Sequence, residues 1–378
     1  DRALSDRYLT LQIWFLVKKI MSYKFPNLKH KRRSILQLTG LAVGAAIFPP
    51  TFHAVKTSLK ATKAKYADAK KVAPLSLSNE IGKVVLVYSE DRVSGTRRAL
   101  DLLQPDGIKG KRIFLKPNYN TADPAPAATD TKMLEALIQE LQNAGAGQIS
   151  IGDRSGMAQT RQAMEAKGVF KLADRYGLNA IVLDELGIKD WQYFSPEGTH
   201  WQQGFAFARP ILDAEAVINM CCLKTHGGAR YTLSLKNTVG MVAKYVPGDR
   251  FNYMNDLHTS KYMQLMIAEI NSVYQPSLVL MDGVEAFVKG GPEAGDKVAA
   301  NVILAGTDRV AVDVVALGIL RSLGTTPEVA QGSIWNLEQI RRAIELGLGA
   351  ANSEQIELIT ADAASQKIAD GIRPYIMT

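Results

Sequence analysis

From residue 80 onward, short apolar runs alternate with longer amphipathic stretches, and that alternation limits the chain to few folds. The apolar runs are KVVLVYS (83–89), RIFLK (112–116), QISIGD (148–153), NAIVLDE (179–185), AVINMCCL (216–223), SLVLMDG (277–283) and NVILAG (301–306). Between and after them, 95–104, 130–144, 159–176, 233–243, 260–274, 309–322 and 332–346 read as helices. Strands that alternate with helices pair in parallel through crossover units. Strands apolar on both faces need cover on both faces. The expected fold is therefore α/β: a mostly parallel sheet with helices on both faces. Residues 186–212 break the rhythm with Trp191, Tyr193, Phe194 and Trp201, and predict an inserted aromatic hairpin or flap.

In such sheets ligands bind outside the carboxyl ends of strands. Polar residues gather there: Lys116-Pro117-Asn118, Asp153-Arg154-Ser155-Gly156, Asp184-Glu185, Lys224-Thr225-His226 and Asp282-Gly283. The richest corner is CCLKTHGGARYTLSLKNTVG, 221–240. Lys236 and Asn237 follow Ser234, a residue able to cap a helix. Lysine in a first helical turn opposes the helix dipole, and a local rule broken in this way points to function. These positions predict an anion pocket. Lys116, Asn118, Arg154, Lys236 and Asn237 would bind the substrate, and His226, Lys224 and Asp282 would carry the chemistry. Asp153, Asp282 and His226, with His258 and His200 as further candidates from separate loops, are the set that could hold a divalent metal, the one cofactor these loops suggest. GAG (145–147) is a turn, because a dinucleotide loop needs the order strand, GxGxxG, helix. KGGPEAG (289–295) reads as a mobile loop beside Asp282.

The formal charge is +8, from 45 Lys/Arg and 37 Asp/Glu. Residues 1–54 hold nine of the basic residues and two of the acids, so the remainder, 36 against 35, is nearly neutral. A nucleic-acid partner would want a clustered basic face, and none is expected. KRRSILQLTGLAVGAAIF (31–48) reads as a twin-arginine export signal, a receptor-read address with an apolar run too short to span a bilayer. The expected organisation is an upstream reading-frame extension (1–20), the signal segment (21–54), a Lys/Ala-rich tether (55–79), the α/β domain (80–325), and a C-terminal helix and strand completing it (326–378). The expected location is extracytoplasmic, with the export machinery as a partner and membrane contact only through an uncleaved signal.

Lys116-Pro117-Asn118, Lys224-Thr225-His226, Ser234-x-Lys236-Asn237-x-x-Gly240, Asp282-Gly283 and Ala305-Gly306-x-Asp308-x-Val310-Ala311-Val312-Asp313 occur in order over some 200 residues. As a set they resemble the domain of unknown function 362 family. The resemblance implies a fold and a motif map without a reaction. Some relatives carry ferredoxin-like cysteine modules. This chain has only Cys221 and Cys222, adjacent, which excludes a disulfide framework and leaves too few thiols for an iron–sulfur cluster. The leading expectation is an enzyme acting on a small carboxylate or phosphate by acid/base or metal-assisted chemistry. The alternatives are a non-catalytic anion- or cofactor-binding module and an accessory partner of an exported redox complex.

Overall fold

A computed structural model describes residues 68–74 and 80–377. The reading-frame extension, the export signal and most of the tether therefore lie outside the described residues. The strands are β1 (Gly82–Tyr88), β2 (Ile113–Lys116), β3 (Ile149–Asp153), β4 (Asn179–Val182), β5 (Trp191–Phe194), β6 (Phe205–Ala208), β7 (Ala216–His226), β8 (Arg230–Thr232), β9 (Leu278–Gly290), β10 (Gly295–Gly306) and β11 (Ile356–Thr360). The helices are α1 (Arg92–Leu103), α2 (Thr131–Asn143), α3 (Thr160–Ala166), α4 (Val169–Tyr176), α5 (Arg209–Leu212), α6 (Ser234–Asn237), α7 (Tyr253–Thr259), α8 (Met263–Glu269), α9 (Arg309–Ser322), α10 (Pro327–Ala330), α11 (Glu338–Glu345) and α12 (Ala363–Ile376).

The sheet runs β11-β1-β10-β9-β7-β2-β3-β4, with β8 hung on β7. Its pairings are parallel except where β10 lies between β1 and β9, and where β8 meets β7. The expected α/β class and mostly parallel sheet are what the chain forms. Apolar side chains alternate between two cores. Val84, Leu86, Phe114, Val217 and Cys221 face one core with α8, α9 and α11, while Val85, Val87, Ile113, Leu115 and Ile218 face the other with α1 and α2. Both faces are therefore covered, as the near-continuous apolar strands require.

Residues 191–208 form the expected hairpin: β5 and β6 pair antiparallel, Trp191 opposite Ala208 and Phe194 opposite Phe205. Two expectations need correction. The helix expected at 233–243 is one short turn, α6, followed by a 3-10 turn at Thr238–Met241. The segment 289–295 is the tip of the long β9–β10 hairpin, where Gly290 pairs with Gly295. That tip is pinned to the end of β7, where the Gly227 N–H donates to the Gly291 carbonyl at 3.2 Å. Gly291 has φ +79°, and a Cβ there would stand 2.2 Å from the Thr225 carbonyl oxygen, so only glycine fits.

Chain order fixes where a ligand can sit. From β2 the chain proceeds outward to β3 and β4, then returns to lay β7 on the other side of β2. The neighbouring crossovers leave in opposite directions and open a crevice at the carboxyl ends of β2 and β7.

Candidate functional site

Lys116 ends β2 and pairs across the ladder with Asn219 of β7. The Lys116 Nζ donates to Asp153 Oδ1 and to the Pro117 carbonyl, both at 2.6 Å, and to Asn237 Oδ1 at 3.3 Å. Asp153, at the end of β3, also accepts from the Tyr119 and Arg154 N–H groups at 2.6 and 2.7 Å. Both its oxygens are engaged. Gly240 lies against this ion pair: a Cβ there would be 2.4 Å from Asp153 Oδ1 and 2.8 Å from Lys116 Cε. That close approach explains the glycine three residues after Asn237.

Asn237 ties the crevice together. Its Oδ1 also accepts from Asn118 Nδ2 at 2.9 Å, and its Nδ2 donates to Asn219 Oδ1 (2.7 Å), Met220 O (3.1 Å) and Lys116 O (3.4 Å). Lys224 projects from the opposite face of β7, beside a break in the β7–β9 register between Cys222 and Lys224. Its Nζ donates to Asn118 Oδ1 at 3.0 Å, to Pro292 O at 3.2 Å and to Ala127 O. Arg154 donates to Val242 O at 2.9 Å, Ser155 O at 3.2 Å and Val239 O, and approaches Met254 Sδ at 3.0 Å. Lys116, Asn118, Lys224, Arg154 and Asn237 are thus already committed to one another and to the backbone. They build the walls and set the field. Burial pushes Lys116, Lys224 and Arg154 below their ordinary values.

The walls enclose a cavity of about 220 Å³, lined by Lys116, Arg154, Lys224, His226, Lys236 and His258 together with Asp153. Lys236 differs from the other cations. It is only 8% exposed, and among the described residues no hydrogen-bond acceptor or carboxylate partners its amine. Burial, reinforced by Arg154 and Lys224, pushes it down to about 7. A buried cation without a partner is costly unless something occupies the space beside it.

Backbone groups fix the two histidines in opposite tautomers. His226 Nδ1 accepts from the Gly228 and Ala229 N–H groups at 3.1 and 3.0 Å, which puts its proton on Nε2. Burial and the nearby Lys236 and Lys224 hold its pKa down at about 2, so the ring is a neutral donor. His258 Nδ1 lies 2.6 Å from the Met254 carbonyl, which can only accept, so Nε2 carries a lone pair. Burial and Lys236 lower this histidine too.

The metal set expected from sequence is not brought together. Asp282 lies on β9, where Arg92 Nε donates to it at 2.7 Å and the Val284 N–H at 3.1 Å. It does not line the cavity, so its expected catalytic role is corrected to an ion pair with α1. Among the described residues no three His, Cys, Asp or Glu side chains are grouped to hold a metal. Cys221 and Cys222 are buried, and burial raises both thiols, Cys222 to about 11. From sequence His258 is a candidate only as a metal ligand, because nothing local in NDLHT marks it for acid/base work; the packing of α7 over the crevice brings it into the cavity.

Ser234 does not cap α6. Asp313 of α9 does so from a distance, accepting the Ser234 and Leu235 N–H groups at 2.8 and 3.0 Å. Ser234 Oγ donates to Arg309 O at 3.1 Å instead. Asp313→Ala is expected to cost about 2 kcal/mol in urea unfolding, since two buried N–H groups lose their acceptor. An unchanged midpoint would show that water replaces the carboxylate.

The protein is thus an α/β protein with a cationic cavity at the switch point of its sheet. The model of the family described as Domain of unknown function (DUF362) matches residues 113–318, more than half of the chain, and the chain belongs to that family. It is 25% identical over 305 residues to the Thylakoid-associated protein sll1697 of Synechocystis sp. (strain ATCC 27184 / PCC 6803 / Kazusa), across 71% of this chain and 91% of that one. A partial match to the lactate racemase apoprotein from Thermoanaerobacterium thermosaccharolyticum has a TM-score of 0.34 and 13% identity. It covers 56% of this chain and about half, 53%, of that one.

Proposed function

We propose that the protein is an enzyme that binds a small carboxylate or phosphate compound in this cavity and moves a proton on it. The observation that carries this reading is Lys236, a buried lysine that no carboxylate among the described residues pairs, in a cavity with three further cationic side chains and one carboxylate. An anion completes that arrangement. The histidines supply complementary functions: His226 Nε2–H donates, and His258 Nε2 accepts. A neutral histidine held as a donor polarises a developing oxyanion without charging itself.

Anion binding should be linked to proton uptake. With its pKa near 7, Lys236 is largely neutral at pH 8, and a bound anion restores the ammonium. Calorimetric titration with acetate and sulfate, in buffers of differing ionisation enthalpy, should show up to about one proton taken up per anion. Affinity should weaken as pH rises from 6.5 to 8.5. Binding that is flat across this range would remove Lys236 as the anchor. A binding module without chemistry would instead show the uptake and no turnover with any proton-transfer substrate.

We further propose that the chain is exported through the twin-arginine route before acting at or near a membrane. The ordered Arg32-Arg33, apolar run and small residues support this, as does a relative named for its association with thylakoids. The double change Arg32→Lys, Arg33→Lys should leave the protein in the cytoplasm; undiminished export would sink the idea.

A further inference from the structure

The cavity's three lysines differ in what surrounds their amines. Lys116 has a carboxylate at 2.6 Å, and Lys224 has three oxygen acceptors. Lys236 has neither among the described residues, although it is more than nine-tenths buried and lines the cavity. The groups that face it are Arg154, Lys224, Lys116 with its partner Asp153, and the two histidines. Positive charge therefore predominates around this amine, and nothing close by stabilises its protonated form. A desolvated lysine beside other cations is an amine nucleophile. His258 Nε2, which can take a proton, and the His226 Nε2–H, a hydrogen-bond donor, line the same cavity.

We propose that Lys236 forms a Schiff base with the carbonyl carbon of a small 2-oxo acid. This rests on the anion-binding reading above and names its substrate class. The Nζ lone pair attacks the carbonyl carbon, the C–N bond forms, and the carbonyl π pair moves onto oxygen. His258 Nε2 accepts one ammonium proton of the adduct and passes it to the oxygen, which the His226 Nε2–H steadies by a hydrogen bond while keeping its own proton. The resulting carbinolamine loses that oxygen as water after a second protonation, leaving the iminium ion Lys–N(H)=C. The sum is amine plus carbonyl plus one proton giving iminium plus water, with no oxidant or metal required. The walls contribute charge: Arg154 and Lys224 line the same cavity, and their field favours a carboxylate in it.

The test is reductive trapping of the full chain with pyruvate or glyoxylate and borohydride at pH 7, followed by peptide mapping. An amine with its pKa near 7 is about half neutral at that pH, whereas an ordinary lysine is neutral to less than one part in a thousand. The secondary amine is therefore expected on Lys236 at least about tenfold ahead of the exposed Lys289. Lys236→Arg should retain the fold, by circular dichroism, and lose the adduct. Acetate, which lacks a reactive carbonyl, should slow trapping by occupying the same cavity. Adducts spread over surface lysines without preference for Lys236 would overturn the proposal. If acetate binds with proton uptake and Lys236 is not trapped, the Schiff base is refuted while the anion site stands. If acetate does not bind, both readings fail.

Discussion

Replacing Lys236 with methionine will lower anion affinity about a hundredfold and leave the fold as stable as before, or more so. The first half follows from a charge-assisted hydrogen bond worth about 1.5–3 kcal/mol, lost with the ammonium. The second half follows from the absence of a partner for this amine among the described residues. Methionine is close to lysine in length, and it removes a charge that folding must desolvate without compensation. The pH dependence has a definite sign. The folded pKa, about 7, lies below the ordinary 10.5, so between these values the unfolded chain binds more protons. The penalty is full below about pH 7 and fades as pH rises toward 10.5, so Lys236 makes wild-type stability climb with alkalinity. Lys116 and Lys224 are shifted the same way. The difference between variant and wild type isolates Lys236. Urea unfolding at pH 7 and 9.5 should show the variant's advantage, on the order of a few kcal/mol at most, shrinking at the higher pH. A variant destabilised at both pH values would mean that Lys236 holds the fold rather than a ligand.

Asn237→Leu should do the opposite. Leucine keeps the approximate volume and removes every side-chain hydrogen bond by which residue 237 ties the ends of β2 and β7 together. Asn118 Nδ2, Asn219 Oδ1 and the Met220 carbonyl lose a partner, in a place with little exposure to water. Buried polar groups left unpaired cost about 1–3 kcal/mol each. A total loss of about 4 kcal/mol is expected, with Tm falling by roughly 10 °C. Anion affinity should fall as well, because Lys116 and Lys224 reach their positions through the same network. A Tm within about 2 °C of wild type would show that the network is not what sets the geometry of the crevice.

The two neighbours looked alike in sequence. Lys236 and Asn237 share one motif and both read as ligand contacts, yet one is uncommitted and the other is fully engaged within the protein. The difference lies in partners more than one hundred residues away, such as Lys116 and Asn118 for Asn237. The sheet was more legible, because burial on both faces writes itself into consecutive apolar residues. Asp282 misled for the converse reason: an acid at a strand end resembles a site residue, and Arg92, which claims it, lies 190 positions earlier. The long β9–β10 hairpin was hidden because Glu285, Lys289, Asp296, Lys297 and the tip glycines interrupt the apolar residues of its outer half, and its pairing follows from its partner strand rather than from its own composition. His258 and the Asp313 cap belong to the same class, since each depends on a helix arriving from elsewhere.

The placement of β10 bears on the order in which the molecule can be made. Val84 of β1, among the first residues of the sheet to leave the ribosome, pairs with Gly306 on one side and Leu358 on the other. Neither neighbour exists until most of the chain has been synthesised. Until then β1 offers two unpaired backbone edges, the state most prone to pairing with another molecule. Completion of the sheet is therefore a late event. A nascent chain of this kind would need its first strand shielded until β10 and β11 emerge.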